Sequence, residues 1–211
     1  MLCFGGGGAV RIGIVGSGQV ARALARGYAA HGHRIRLGTR QAEVEGLPVG
    51  SPAEAVRDAD LVVLAVRGTV AVDLVTSLAE ALEGRVLVDA TNPLEGSTGV
   101  PRLFVGHTDS LGERVQRAAP RARVVKAYNI VGNALMVDPQ LPGGPPTMFI
   151  AGDDDAAKAT VTGLLQETGW DVADLGGIEA SRLLEPMCLA WVAYGARTGT
   201  WSHALKLLHA D

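Results

Sequence analysis

Much that commonly marks a chemical mechanism is missing from this sequence. There are two cysteines, Cys3 in a terminal stretch and Cys188 in an apolar helical pattern, which fits neither a disulfide framework nor a metal site and points to a reducing cytoplasm. The histidines, His31, His33, His107, His203 and His209, form no H-x-x-H or H-E-x-x-H pattern, so no metal centre is expected. His31 and His33 flank Gly32 at a helix end and read as solvated. No G-x-S-x-G occurs, and no cysteine–histidine arrangement for nucleophilic catalysis can be argued. Only three of the 19 basic residues are lysines, and the formal net charge is −3. That balance leaves no large basic surface for nucleic acid or an anionic membrane, so any anion site has to be built locally. The longest aliphatic runs, such as LVVLAV at 61–66, are far too short to cross a bilayer. The opening MLCFGGGGAV lacks the features of a secretory signal, and residues 1–9 read as a flexible N-terminal extension.

What is present is a large apolar fraction, 47%, with 19% charged residues, as in a globular protein with a substantial core. Short β-rich runs alternate with segments of helical period. Strands are expected at 10–16, 33–38, 60–66, 85–91, 123–129, 147–152 and 170–176, and helices at 19–32, 51–59, 69–82, 109–119 and 155–169. Ser51, Pro52 and Glu54 form a helix-start signature with a capping box. The Asp153–Asp155 run is explained by capping at a helix start. Residues 178 to about 208 read as mostly helical, kinked or divided at Pro186. The alternation predicts an α/β fold: a Rossmann-type, doubly wound, mostly parallel sheet with a small helical C-terminal part. Its continuous aliphatic strands suit a sheet covered on both faces. Residues 10–146 are assigned to the nucleotide-binding domain and 147–211 to a small part completing its cleft, not an independent domain.

Gly16-Ser17-Gly18-Gln19-Val20-Ala21 has the form G-x-G-x-x-A, directly after an apolar strand and opening a helix. Gly16 permits the tight turn, Gly18 the approach of a pyrophosphate, and Ala21 close packing of helix on sheet. The helix N-terminus then offers N–H groups and a positive dipole end to phosphates. At the end of the second strand, where an acidic residue would bind a ribose 2′-OH, the sequence has Gly38, Thr39 and Arg40. Gly38 is read as leaving room, Thr39 as a hydroxyl donor and Arg40 as a partner for phosphate oxygens, so the stretch predicts NADP(H). Val66 and Arg67 are candidates to border the adenine or the nicotinamide ribose, and Asn92 and Pro93 to shape the nicotinamide pocket. Asn129 ends the following strand within reach of the same cleft, and Lys126 either acts catalytically or only flanks the sheet.

IGIVGSGQVARALA…GHRIRLGTR, VVKAYN, FIAGDDDAAK and ASRLLEPM together resemble the NADPH-dependent coenzyme F420 reductase family and the small dinucleotide-binding oxidoreductases around it, from Val10 to Leu208. The resemblance implies a domain that binds NADP(H), with the deazaflavin F420 stacked on the nicotinamide and direct hydride transfer between the rings. It implies that Ser17 to Val20 hold the pyrophosphate and Thr39 and Arg40 the 2′-phosphate. Asn129 to Asn133 would lie near the nicotinamide and the second cofactor. A further basic residue often follows the arginine in that family; Val44 stands there instead and weakens the expected grip. The expected activity is hydride transfer between NADP(H) and F420 or a similar flavin-like acceptor; direct transfer between two redox rings needs little acid–base help, and no catalytic residue is assigned.

Two other readings stand beside this one. The first is an NADPH-dependent reductase of a small imine or carbonyl, although such reductases carry a longer helical C-terminal region than this sequence supplies. The second is a non-catalytic NADPH-binding sensor module. The apolar segment Leu183–Tyr194 serves either a homodimer face or the core. Apart from the small-molecule cofactors, no nucleic-acid or membrane partner is expected.

Overall fold

The structure, a computed structural model, describes residues 8–96 and 101–210. The expected flexible extension therefore lies, up to residue 7, outside the described residues. Six strands form a parallel sheet: β1 (Arg11–Val15), β2 (Arg34–Gly38), β3 (Val49–Gly50), β4 (Leu61–Leu64), β5 (Val86–Asp89) and β8 (Arg123–Lys126). Their order is β3-β2-β1-β4-β5-β8, which is the doubly wound Rossmann arrangement with its reversal between β1 and β4. The expected fold class is thus the observed one.

Strand alternation divides the core between the two faces. Ile12, Ile14, Leu61, Val63, Val86 and Val88 pack against α1 (Gln19–Ala30) and α5 (Asp155–Glu167). Val62, Leu64, Leu87 and Val124 pack against α2 (Pro52–Arg57), α3 (Gly68–Leu78) and α4 (Leu111–Ala118). Both faces being covered, the strands need apolar residues at every position, which is why they read as unbroken aliphatic runs.

The capping box forms as the sequence indicates: Ser51 Oγ accepts from Glu54 N at 3.3 Å, and Glu54 Oε2 accepts from Ser51 N at 2.8 Å. Because α2 has only six residues, Ser51→Ala is expected to lower unfolding free energy by about 1 kcal/mol, read from urea denaturation. Asp154 caps α5 in the same manner, accepting from Ala157 N at 2.7 Å.

A second, parallel pair, β9 (Thr147–Ile150) and β10 (Asp171–Asp174), flanks α5. It joins the main sheet through an antiparallel bridge between Lys126 and Ala151. A short antiparallel hairpin, β6 (Leu94–Glu95) and β7 (Arg102–Leu103), was not signalled by the sequence, nor was β3; each strand is two residues long, too short for any period to show.

The C-terminal segment departs from expectation in two ways. Helix α6 (Ser181–Thr198) runs undivided through Pro186. The missing N–H costs one backbone bond near the helix start, and burial of Leu184, Glu185, Cys188 and Trp191 holds the segment helical. The helix then stops at Gly199, whose φ of 71° lies in the left-handed region, and residues 200–210 adopt no regular structure. They are fixed instead by packing and by bonds such as Thr147 N to Leu205 O at 2.8 Å and Trp191 Nε1 to His203 O at 2.8 Å. Within Leu183–Tyr194, Leu184, Cys188 and Trp191 are buried, whereas Leu183 and Tyr194 are exposed.

His33 is also corrected. It is buried, edge-on to Tyr28, with Nδ1 accepting from Val10 N at 3.4 Å, because the chain leaving α1 turns straight into the sheet. His31 is partly buried and bonds Asp138 at 3.0 Å.

Candidate functional site

The glycine turn lies at the carboxyl end of β1, at the reversal of strand order. Gly16 has φ +134°, its N donates to Gly38 O at 2.9 Å, and a Cβ there would stand 2.2 Å from Ala65 O. No other residue fits between the ends of β2 and β4 in that conformation. At Gly18 the reverse holds: an added Cβ would meet nothing within 4 Å, so the backbone faces open space. Helix α1 starts there with no side-chain cap and no acidic residue in its first turn. Its first N–H groups and dipole are left for an external anion, which fits a pyrophosphate. Ala21 is fully buried against the sheet, as the motif requires.

The end of β2 is tied to this turn. Thr39 Oγ1 donates to Ser17 Oγ at 3.0 Å, and Thr39 N donates to Gly50 O at 2.9 Å. Arg40 is exposed, and among the described residues its guanidinium has no hydrogen-bond or ion-pair partner. The neighbouring arginines are committed: Arg22 and Arg26 both pair with Glu45, and Arg36 with Asp58. Gly38 lines the cleft, and its lack of a side chain also serves the close approach of α2, since a Cβ there would meet Pro52 Cα at 2.8 Å. Val44 is a buried core residue bridged to Leu47.

A cleft of about 960 Å³ unites Gly16, Ser17, Gly18, Gln19, Val20, Gly38, Thr39 and Arg40 with Val66 and Arg67, between β4 and α3. That is at the upper end of the range for ligand sites. Arg67, like Arg40, has no side-chain partner among the described residues. The same cleft takes in Pro52, Ala65, Val70, Asp73, Leu74 and Ala90, which sequence reasoning did not single out. Val70, Asp73 and Leu74 share a helix face by their i, i+3, i+4 spacing, and that spacing right after a strand end was the available signal.

Asn92 and Asn129 form a separate pair across the ends of β5 and β8. Asn92 Nδ2 donates to Asn129 O at 2.9 Å, and Asn129 Nδ2 donates to Leu184 O at 2.8 Å. Pro93, next to Asn92 in sequence, is buried, and Asn133 is exposed in a 3₁₀ turn, Asn133–Leu135, that contacts α1. Tyr128, with φ 62°, turns the chain between β8 and Asn129. A bulky residue in that region is strained, and Tyr128 is held there by burial and by Tyr28, whose hydroxyl donates to Tyr128 Oη at 2.8 Å. Burial pushes the Tyr128 phenol up to about 12.

Lys126 is fully buried below these loops, away from the cleft lining. Nζ donates to Asp89 Oδ2 at 3.0 Å and Thr91 O at 2.8 Å, and lies 3.1 Å from Glu185 Oε1. Glu185 also accepts from Leu111 N and Gly112 N, both at 2.9 Å, thereby capping α4. Burial alone would depress the ammonium's pKa; Asp89 and then Glu185 outweigh it and hold it above the ordinary lysine value. This places Lys126 in the framework. Among the described residues no group of three or more His, Cys, Asp or Glu is placed to hold a metal, and no helix is long and apolar enough to cross a membrane.

Similarity to known proteins follows the same parts of the chain. Residues 11–93, from β1 to just past β5, match the family of coenzyme F420-dependent NADP oxidoreductases. The chain is 31% identical over 188 residues to metalloreductase STEAP3 of Rattus norvegicus, covering 86% of this chain and 37% of that protein. It is 27% identical over 134 residues to the F420-dependent NADP reductase of Methanocaldococcus jannaschii, covering 63% of this chain and 60% of that one. The chain thus spans less than two thirds of the length of both relatives. The crystal structure of a candidate F420-dependent NADP reductase from Arthrobacter sp. FB24 superposes with a TM-score of 0.89 at 36% identity, over 95% of this chain and all 100% of that one. A likeness of that extent, with the family's own pattern running through the strands that build the cleft, makes this chain a member of the coenzyme F420-dependent NADP oxidoreductase family.

Proposed function

We propose that the protein passes a hydride between NADP(H) and the deazaflavin coenzyme F420. The observation that carries the choice of NADP(H) is Arg40, an unpaired guanidinium beside Thr39 at the end of β2, where no carboxylate stands to repel a 2′-phosphate. In this reading the α1 N-terminus and the backbone at Ser17–Val20 hold the pyrophosphate, and Thr39 and Arg40 hold the 2′-phosphate. The Asn92–Asn129 pair fixes the loops after β5 and β8 where the nicotinamide is to lie, and Pro93 and Asn133 border that end. Residues 10–146 carry the nucleotide site and 147–211 complete it. Bound NADPH supplies the hydride, so that NADPH, F420 and a solvent proton give NADP⁺ and the two-electron-reduced deazaflavin. The chain's contribution is to bind, orient and keep water out.

The test is spectrophotometric: NADPH and F420 are mixed with the protein and loss of the deazaflavin's visible absorbance is followed, with NADH and FMN in parallel. Bleaching with NADPH and F420 alone is the expected outcome. NADPH binding without bleaching would reject the deazaflavin as acceptor, and absence of NADPH binding would reject the whole reading.

A further inference from the structure

Among the described residues, the cleft that gathers the glycine turn and Arg40 is lined by a single carboxylate, Asp73. This is unexpected for a site that receives phosphates, since a carboxylate facing a phosphate is repelled. Asp73 is exposed on α3 and, among the described residues, makes no hydrogen bond or ion pair. It therefore has no structural duty visible in the fold. Val70, one turn before it, Leu74, next to it, and Val66, just past β4, line the cleft with it. The combination of apolar lining side chains and one anionic acceptor suits a planar heterocycle with an N–H donor on its edge, and disfavours one with a carbonyl there.

The position decides which end of a dinucleotide meets it. Asp73, on α3 after β4, lines the same cleft as Thr39 and Arg40 at the end of β2 and Pro52 at the start of α2. Asn92 and Asn129, at the ends of β5 and β8, are not in that lining. The heterocycle on the β2 side is the base joined to the phosphate-bearing ribose. Resting on the NADP(H) reading above, we infer that Asp73 is a specificity-determining residue that accepts a hydrogen bond from the exocyclic amine of adenine, with Val66, Val70 and Leu74 against the ring.

The test compares NADPH with its hypoxanthine analogue, in which a carbonyl replaces the adenine amine, by isothermal titration calorimetry on the intact chain. The unsubstituted protein is expected to bind the analogue at least about tenfold more weakly than NADPH, the size of a lost hydrogen bond to a charged group. Asp73→Ala is expected to weaken NADPH by about tenfold and to bring the two ligands level. Asp73→Asn, whose amide both donates and accepts, is expected to favour the analogue relative to the unsubstituted protein. Thermal melting of the apo-variants checks that each folds, as an exposed, unpartnered side chain predicts. Equal binding of both ligands by the unsubstituted protein, or a preference that Asp73→Ala leaves intact, would overturn the inference while leaving NADPH binding standing. Binding of neither ligand would overturn the NADP(H) reading and this inference with it.

Discussion

Lys126→Met is expected to destabilise the protein by about 3–5 kcal/mol, seen as a large fall in the urea midpoint. The reason is the company the ammonium keeps. Asp89 and Glu185 are both buried, and removal of Lys126 leaves two carboxylates facing each other without a cation. Glu185 is also the cap of α4 and the point at which α6 is tied to the main sheet, so its charge cannot be relieved without loosening two elements. Asp89→Asn in the Lys126→Met background is expected to recover part of the loss, since it removes one uncompensated charge. A Lys126→Met protein with an unchanged midpoint would show that this network is not a framework element, and would return Lys126 to the list of candidate catalytic groups.

Arg40→Glu is expected to weaken NADPH binding by about 100-fold or more, while NADH binding is unchanged or improved. Removing a charge-assisted partner of a phosphate costs about 2–5 kcal/mol, and reversal of its charge adds repulsion. The geometry predicts that the loss is confined to the 2′-phosphate: among the described residues the Arg40 side chain has no partner, so its replacement disturbs no bond seen there. Calorimetric titration with both nucleotides reads the ratio directly. An NADPH affinity that survives Arg40→Glu would place the 2′-phosphate elsewhere, with Arg67 in the same cleft lining as the next group to replace.

The parts of this molecule that were legible in the sequence are those governed by local rules. Strand runs, helical periods and the Ser51 capping box depend on residues within a few positions of one another, and they appear where they were expected. The glycine turn was legible because its conformation excludes side chains at Gly16, a demand that leaves its mark on the sequence. The stretch from Gly38 to Arg40 was legible in part. The missing carboxylate and the arginine could be seen, but the use of Gly38 depended on Pro52, fourteen positions on and brought beside it only by the packing of α2.

Composition and pattern by themselves determined a two-faced parallel sheet, a nucleotide-type turn at its centre and a basic residue at the end of β2, because each follows from the chemistry of neighbouring residues. Tertiary structure alone decided the rest. It joined Lys126 to Asp89 and Glu185, 37 positions before it and 59 after it by their residue numbers. It buried His33 and Val44, carried α6 through Pro186, and set Asp73 in the same cleft lining as Arg40. These outcomes depend on which strand ends and helix faces meet, and burial at those meetings outweighs the preference of any single residue.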